Sequence, residues 1–135
     1  LKSNLPPKER RGVILIDPPF EEPGEYQRLL DGLAAAMTRF ATGIYLAWFP
    51  IKDVAAVDAF KRQLQQAGDP RTLWAELHVA GLKESPKLVA TGLAIINTPY
   101  RLDHQLGTLL PFLAERLGQT PNGGAHTEWL SGAPA

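Results

Sequence analysis

The 135-residue sequence contains no cysteine. That absence excludes a disulfide scaffold, a thiolate nucleophile, a CxxC redox pair and any Cys-based zinc or iron–sulfur site. It also fits a reducing, cytoplasmic setting. No apolar run approaches the roughly 20 residues a membrane helix needs, and nothing resembles a signal peptide. An excess of one charge is lacking too. Lys and Arg number 14 against 14 Asp and Glu, so no global attraction draws the chain to nucleic acid or anionic lipid. No two glycines stand two positions apart, so there is no GxG loop. His78, His104 and His126 show neither HxxxH nor HExxH spacing, and no metal is expected. What is present is an apolar fraction of 44%, enough for one domain with a single buried core.

Along the chain, residues 1–12 are polar, basic and broken by Pro6-Pro7, and read as an exposed lead-in. Val13-Ile14-Leu15-Ile16 is an unbroken apolar run with three β-branched residues, the pattern of a strand buried on both faces of a parallel sheet. Asp17-Pro18-Pro19 ends it, since proline has no amide donor for a ladder. From Glu25 to Phe40 the apolar residues Tyr26, Leu29, Leu30, Leu33, Ala34, Met37 and Phe40 fall at helical spacing, with Gly43 as the stop. A second apolar strand, 44–49, is closed by Pro50. A second amphipathic helix spans 53–67, capped by Asp53 and followed by Gly68.

Thr72 to Val79 alternates, which predicts a more exposed, antiparallel strand. An apolar strand at 88–96, a helix capped by Asp103 and ended by Gly118, and a last strand at 126–130 complete the order β-α-β-α-β-β-α-β. Residues 131–135 form a small, frayed tail. The expected fold is α/β, a mixed sheet whose parallel strands are followed by an antiparallel end.

The sharpest chemical signal is Asp17-Pro18-Pro19-Phe20 at the carboxyl end of the first strand, where open α/β sheets bind ligands. These residue types suit the holding of an exocyclic amine. The Asp17 carboxylate accepts one N–H, and the Pro18 carbonyl on a stiff Pro-Pro backbone accepts the other. Phe20 offers a face for a flat base, worth about 1–3 kcal/mol. Two acceptors on one NH2 group draw its nitrogen toward tetrahedral geometry and free the lone pair for attack. Lys8, Arg10 and Arg11 form a basic cluster beside the strand and are candidate phosphate contacts. Asn97-Thr98-Pro99-Tyr100 echoes the motif, but Thr98 replaces the first proline and turn chemistry accounts for it. Trp48, Phe49 and Tyr100 could rim a base pocket, although core or rim packing is the commoner use of such rings.

The stretch from Arg11 to Glu21 resembles the catalytic strand of adenine-N6 methyltransferases, whose motif is Asp/Asn/Ser-Pro-Pro-Tyr/Phe. Residues 39–50, Gly92 to Asn97 and Ala125 to Trp129 narrow the resemblance to the bacterial family that methylates an adenine N6 in large-subunit (23S) ribosomal RNA. It runs from about residue 5 to about residue 130. It implies a Rossmann-like class I methyltransferase fold, S-adenosylmethionine as donor and ribosomal RNA as partner. It further implies catalytic roles for Asp17, Pro18 and Phe20, donor contact by Asp17, and substrate contact by Pro19, Phe20, Lys8, Arg10 and Arg11. The family's donor site lies mainly upstream, in a glycine-containing motif that this chain lacks. With Leu1 in place of Met, the expectation is the carboxyl-terminal half of one methyltransferase domain, inactive alone and missing its amino-terminal half. A monomeric, cytoplasmic enzyme without metal follows. The alternative is a non-catalytic α/β module that binds nucleic acid or protein.

Overall fold

The computed structural model describes residues 5–67 and 71–134. Its elements follow the expected order: β1 (Val13–Ile16), α1 (Glu25–Arg39), β2 (Ile44–Pro50), α2 (Val54–Ala67), β3 (Thr72–His78), β4 (Ala90–Ile96), α3 (Leu102–Leu117) and β5 (Gly124–Ser131). The five strands form one sheet in the order β1-β2-β4-β3-β5. β1 and β2 are parallel, and every other neighbouring pair is antiparallel. The architecture is therefore mixed α/β. No helix among the described residues is long and apolar enough to cross a membrane.

Helices α1 and α2 cover one face of the sheet. Leu29, Leu33 and Ala36 from α1 and Val57, Phe60 and Leu64 from α2 join Tyr45, Ala47, Phe49, Trp74, Ala94 and Ile96 in one core. Those helical positions recur at the three- and four-residue spacing of a single stripe. The Asp53 carboxylate accepts from the Ala56 amide at 3.2 Å and so caps the start of α2. Tyr45 donates its hydroxyl to the carbonyls of Ala36 and Phe40, tying the end of α1 to the start of β2. On the opposite face α3 packs against β3 and β5. Gly92 lies opposite Phe49 in the antiparallel pair, where a Cβ would come within 2.1 Å of that ring.

Several expectations need correction. β1 is not buried on both faces. Ile14 and Ile16 pack on the core, but Val13 and Leu15 are 65% and 66% exposed, because on their face α3 packs over β3 and β5 at the far border of the sheet. β3 is not an exposed strand. It sits between β4 and β5, and Thr72, Leu73, Trp74 and Ala75 are all buried. Asp103 is not the cap of α3, which opens on Arg101 in the left-handed region with no side-chain cap. The lead-in is not wholly exposed either, since Leu5 joins the core. The expected stop at Gly68 lies outside the described residues.

Candidate functional site

Asp17 follows β1 at its carboxyl end, and Trp48, Phe49 and Pro50 end β2 beside it, because the two strands are parallel with Ile16 opposite Ala47. Asp17 and Pro19 are exposed, while Pro18 and Phe20 are half-buried. No described side chain pairs with the Asp17 carboxylate, so its oxygens are open to an incoming donor. A groove of about 370 Å³ runs from Leu15 through Pro19 along Glu25, Arg28, Leu29 and Gly32 of α1. Arg28 in that wall is held by Glu25 at 2.6 Å and by the Pro23 carbonyl at 3.1 Å.

Phe20 lies at φ 51°, in the left-handed region that an aromatic residue seldom adopts. Such a conformation costs about 1–3 kcal/mol and persists only where neighbours hold it. Two rings do so. Tyr26 lies 4.8 Å away at 60° and Trp48 6.1 Å away at 70°. Tyr26 in turn contacts Phe60 at 5.1 Å, and Phe60 meets Phe49 and Trp74. An aromatic column thus runs from the site into the core. The Tyr26 hydroxyl donates to the Pro50 carbonyl at 2.8 Å. Burial, then the nearby Asp53 charge, pushes its pKa up to about 12, so the phenol keeps its proton.

The other singled-out residues lie elsewhere. Lys8, Arg10 and Arg11 are exposed at the amino end of β1. Asp17 lies six positions beyond Arg11, roughly 20 Å of extended chain. The cluster is thus beside the strand but not beside the motif. The Asn97 turn is also at the far end of the sheet, since β4 runs antiparallel to β2. Its amide donates to the carbonyls of Ala41 and Gly43, and the Thr98 hydroxyl bonds to the carbonyls of Arg71 and Ile95. It is a structural joint. Phe49 is fully buried, and Tyr100 is 84% exposed on that far side. No group of three or more His, Asp or Glu among the described residues is placed to hold a metal.

Sequence reasoning missed Tyr26. In the sequence it is one of the apolar residues at helical spacing in α1, and the one local signal is an aromatic six residues after the motif phenylalanine.

A family model described as ribosomal RNA large subunit methyltransferase D, RlmJ, matches residues 1–131. The chain belongs to the RlmJ family. Ribosomal RNA large subunit methyltransferase J of Escherichia coli K12 is 37% identical over 130 residues, covering 96% of this chain and 46% of that protein. The protein of the same name from Haemophilus influenzae is 34% identical, covering 97% and 47%. A crystal structure of a Legionella pneumophila protein superimposes with TM-score 0.82 at 29% identity, over 93% of this chain and 46% of that one. The chain therefore spans about half the length of the RlmJ relatives it matches.

Proposed function

We propose that the longer protein to which this chain corresponds methylates an adenine N6 in large-subunit ribosomal RNA, using S-adenosylmethionine. This chain would supply the catalytic strand of a Rossmann-like class I methyltransferase domain. The observation that carries the reading is Asp17-Pro18-Pro19-Phe20 at the carboxyl end of β1, in a chain of the RlmJ family.

The acceptor side follows from the residues. The target adenine leaves its stack, and Phe20 receives one face of the base beside Pro19. Asp17 accepts one N–H of the exocyclic amine and the Pro18 carbonyl accepts the other. The nitrogen lone pair then turns out of the ring plane and becomes nucleophilic, while Asp17 holds the proton that the amine must shed. The donor brings an electrophilic methyl group on a sulfonium sulfur. The described residues fit only its margin, through Asp17 at the lip of the groove beside α1. They do not enclose it. The backbone N–H and C=O of Val13, Leu15 and Asp17 point away from β2, because the ladder uses those of Gly12, Ile14 and Ile16. This open edge, with exposed Val13 and Leu15, supports the placement of the remaining half of the domain against β1. The protein would work in the cytoplasm as a monomer, without a metal. Lys8, Arg10 and Arg11 would bind phosphates of the same RNA away from the target nucleotide.

The test is single-turnover methylation of an unmethylated large-subunit ribosomal RNA transcript by the complete protein. Asp17→Ala should slow the chemical step on the order of 10²-fold or more, as loss of a positioned polar group does. Asp17→Asn should be milder, because the amide oxygen still accepts an N–H. A folded Asp17→Ala variant that methylates at the parental rate would show the site to be wrong.

A further inference from the structure

We propose that Tyr26 is a positioning residue: anchored by its hydroxyl to the end of β2 and by its ring to α2, it sets the tilt of the Phe20 ring on which the target base stacks. This rests on the reading of Phe20 as the stacking ring. Tyr26 touches no reacting atom and acts through Phe20.

The geometry gives the reason. Phe20 follows two prolines and has a left-handed backbone at φ 51°, so its own chain does not favour the conformation it adopts. Neighbouring side chains must hold it. Trp48 lies farther off, at 6.1 Å. Tyr26 is closer, at 4.8 Å, and is fixed from two directions. Its hydroxyl donates to Pro50 at 2.8 Å, and its ring rests at 5.1 Å on Phe60, which is completely buried. The tilt of 60° between Phe20 and Tyr26 is an edge-type contact, which constrains ring orientation as well as position. Of the two rings that hold Phe20, Tyr26 is thus the nearer and the one that ties it to the core. A base that stacks on Phe20 inherits that orientation, and with it the line of attack of its amine.

The experiment uses the complete protein with 4-fluorophenylalanine in place of Phe20. Tyr26→Leu removes the ring, Tyr26→Met fills the space without a ring, and Tyr26→Phe keeps the ring without the hydroxyl. The parent and Tyr26→Phe should each show one sharp fluorine resonance. Tyr26→Leu and Tyr26→Met should show a broadened line or several lines. With the ribosomal RNA transcript, the single-turnover rate constant should fall on the order of 10-fold in the Leu and Met variants, the scale of a misplaced reactant. The reaction amplitude should hold, and Tyr26→Phe should recover most of the rate. A merely structural role would shrink the amplitude and leave the rate constant alone.

Should Tyr26→Leu fail to fold, Tyr26→Met carries both measurements. A parental fluorine line and rate constant in the ringless variants would overturn the proposal. If Phe20→Ala is slow while the ringless variants are not, the proposal falls and the methyltransferase reading stands. A complete parent protein that methylates no adenine removes that reading, while the fluorine spectra still decide whether Tyr26 orients Phe20.

Discussion

At the scale of single residues, the sheet and α3 respond in opposite ways to the same change, glycine to alanine. Gly92 sits in β4 opposite Phe49, and a Cβ there would lie 2.1 Å from that ring. Phe49 is fully buried between Phe60 and Trp74, with ring centroids at 5.6 and 4.4 Å, so it has no free space to enter. Gly92→Ala should therefore destabilise by about 1–3 kcal/mol, the usual cost of overpacking. Gly107 lies exposed in the middle of α3, and a Cβ there would meet nothing within 4 Å. Gly107→Ala should stabilise by about 0.5–1 kcal/mol, because alanine loses less backbone freedom in a helix. Urea denaturation of the two variants measures both. A Gly92→Ala variant as stable as the parent would mean that Phe49 is not packed as described.

At the scale of elements, the polar joint around Glu84 links two connections that are far apart in sequence. Its carboxylate accepts from the Gly81 amide in the β3–β4 connection, and from Thr120 and Asn122 in the turn between α3 and β5. Those bonds, the Thr120 hydroxyl first and then Asn122 and the Gly81 amide, hold its pKa below the ordinary 4.5. A carboxyl depressed in the folded state contributes stability above its unfolded value and loses it as pH falls through the folded one. Parent and Glu84→Ala melting temperatures should therefore differ at neutral pH and converge as the pH drops well below 4.5. A difference that stays constant across that range would remove the carboxylate from the joint.

The element order itself was legible in the sequence, because helical spacing and the Gly and Pro stops are local signals. The rank of the strands was not. β4 enters between β2 and β3, so β3 becomes an interior strand, and Trp74 on its seemingly polar side is covered by Phe60 and by the Lys61 ammonium at 5.1 Å. The candidate site divides in the same way. Asp17 to Phe20 is contiguous and readable, whereas Tyr26 joins it only when α1 folds back over the end of β2.

At the scale of the whole molecule, the sheet ends in two edge strands, β5 on the side where α3 packs and β1 on the other. β1 leaves the backbone groups of Val13, Leu15 and Asp17 directed outward, with Val13 and Leu15 themselves 65% and 66% exposed. An open edge of this kind, beside exposed apolar side chains, is a template for pairing with another strand. In the reading proposed above, the other half of the domain occupies it, which agrees with a chain that spans about half of its relatives. The substitution Leu15→Lys then has opposite consequences in two contexts. In the isolated 135 residues it should be nearly neutral in stability, as surface changes are, and should suppress self-association. In the complete protein it would place an unpaired ammonium under the second half and cost more than about 3 kcal/mol. Sedimentation of the isolated parent should show concentration-dependent association that Leu15→Lys abolishes, and the isolated parent should transfer no methyl group. Denaturation of the complete protein should show the large loss. If Leu15→Lys is equally harmless in both, the β1 edge stays exposed in the complete protein, and the other half of the domain is placed elsewhere.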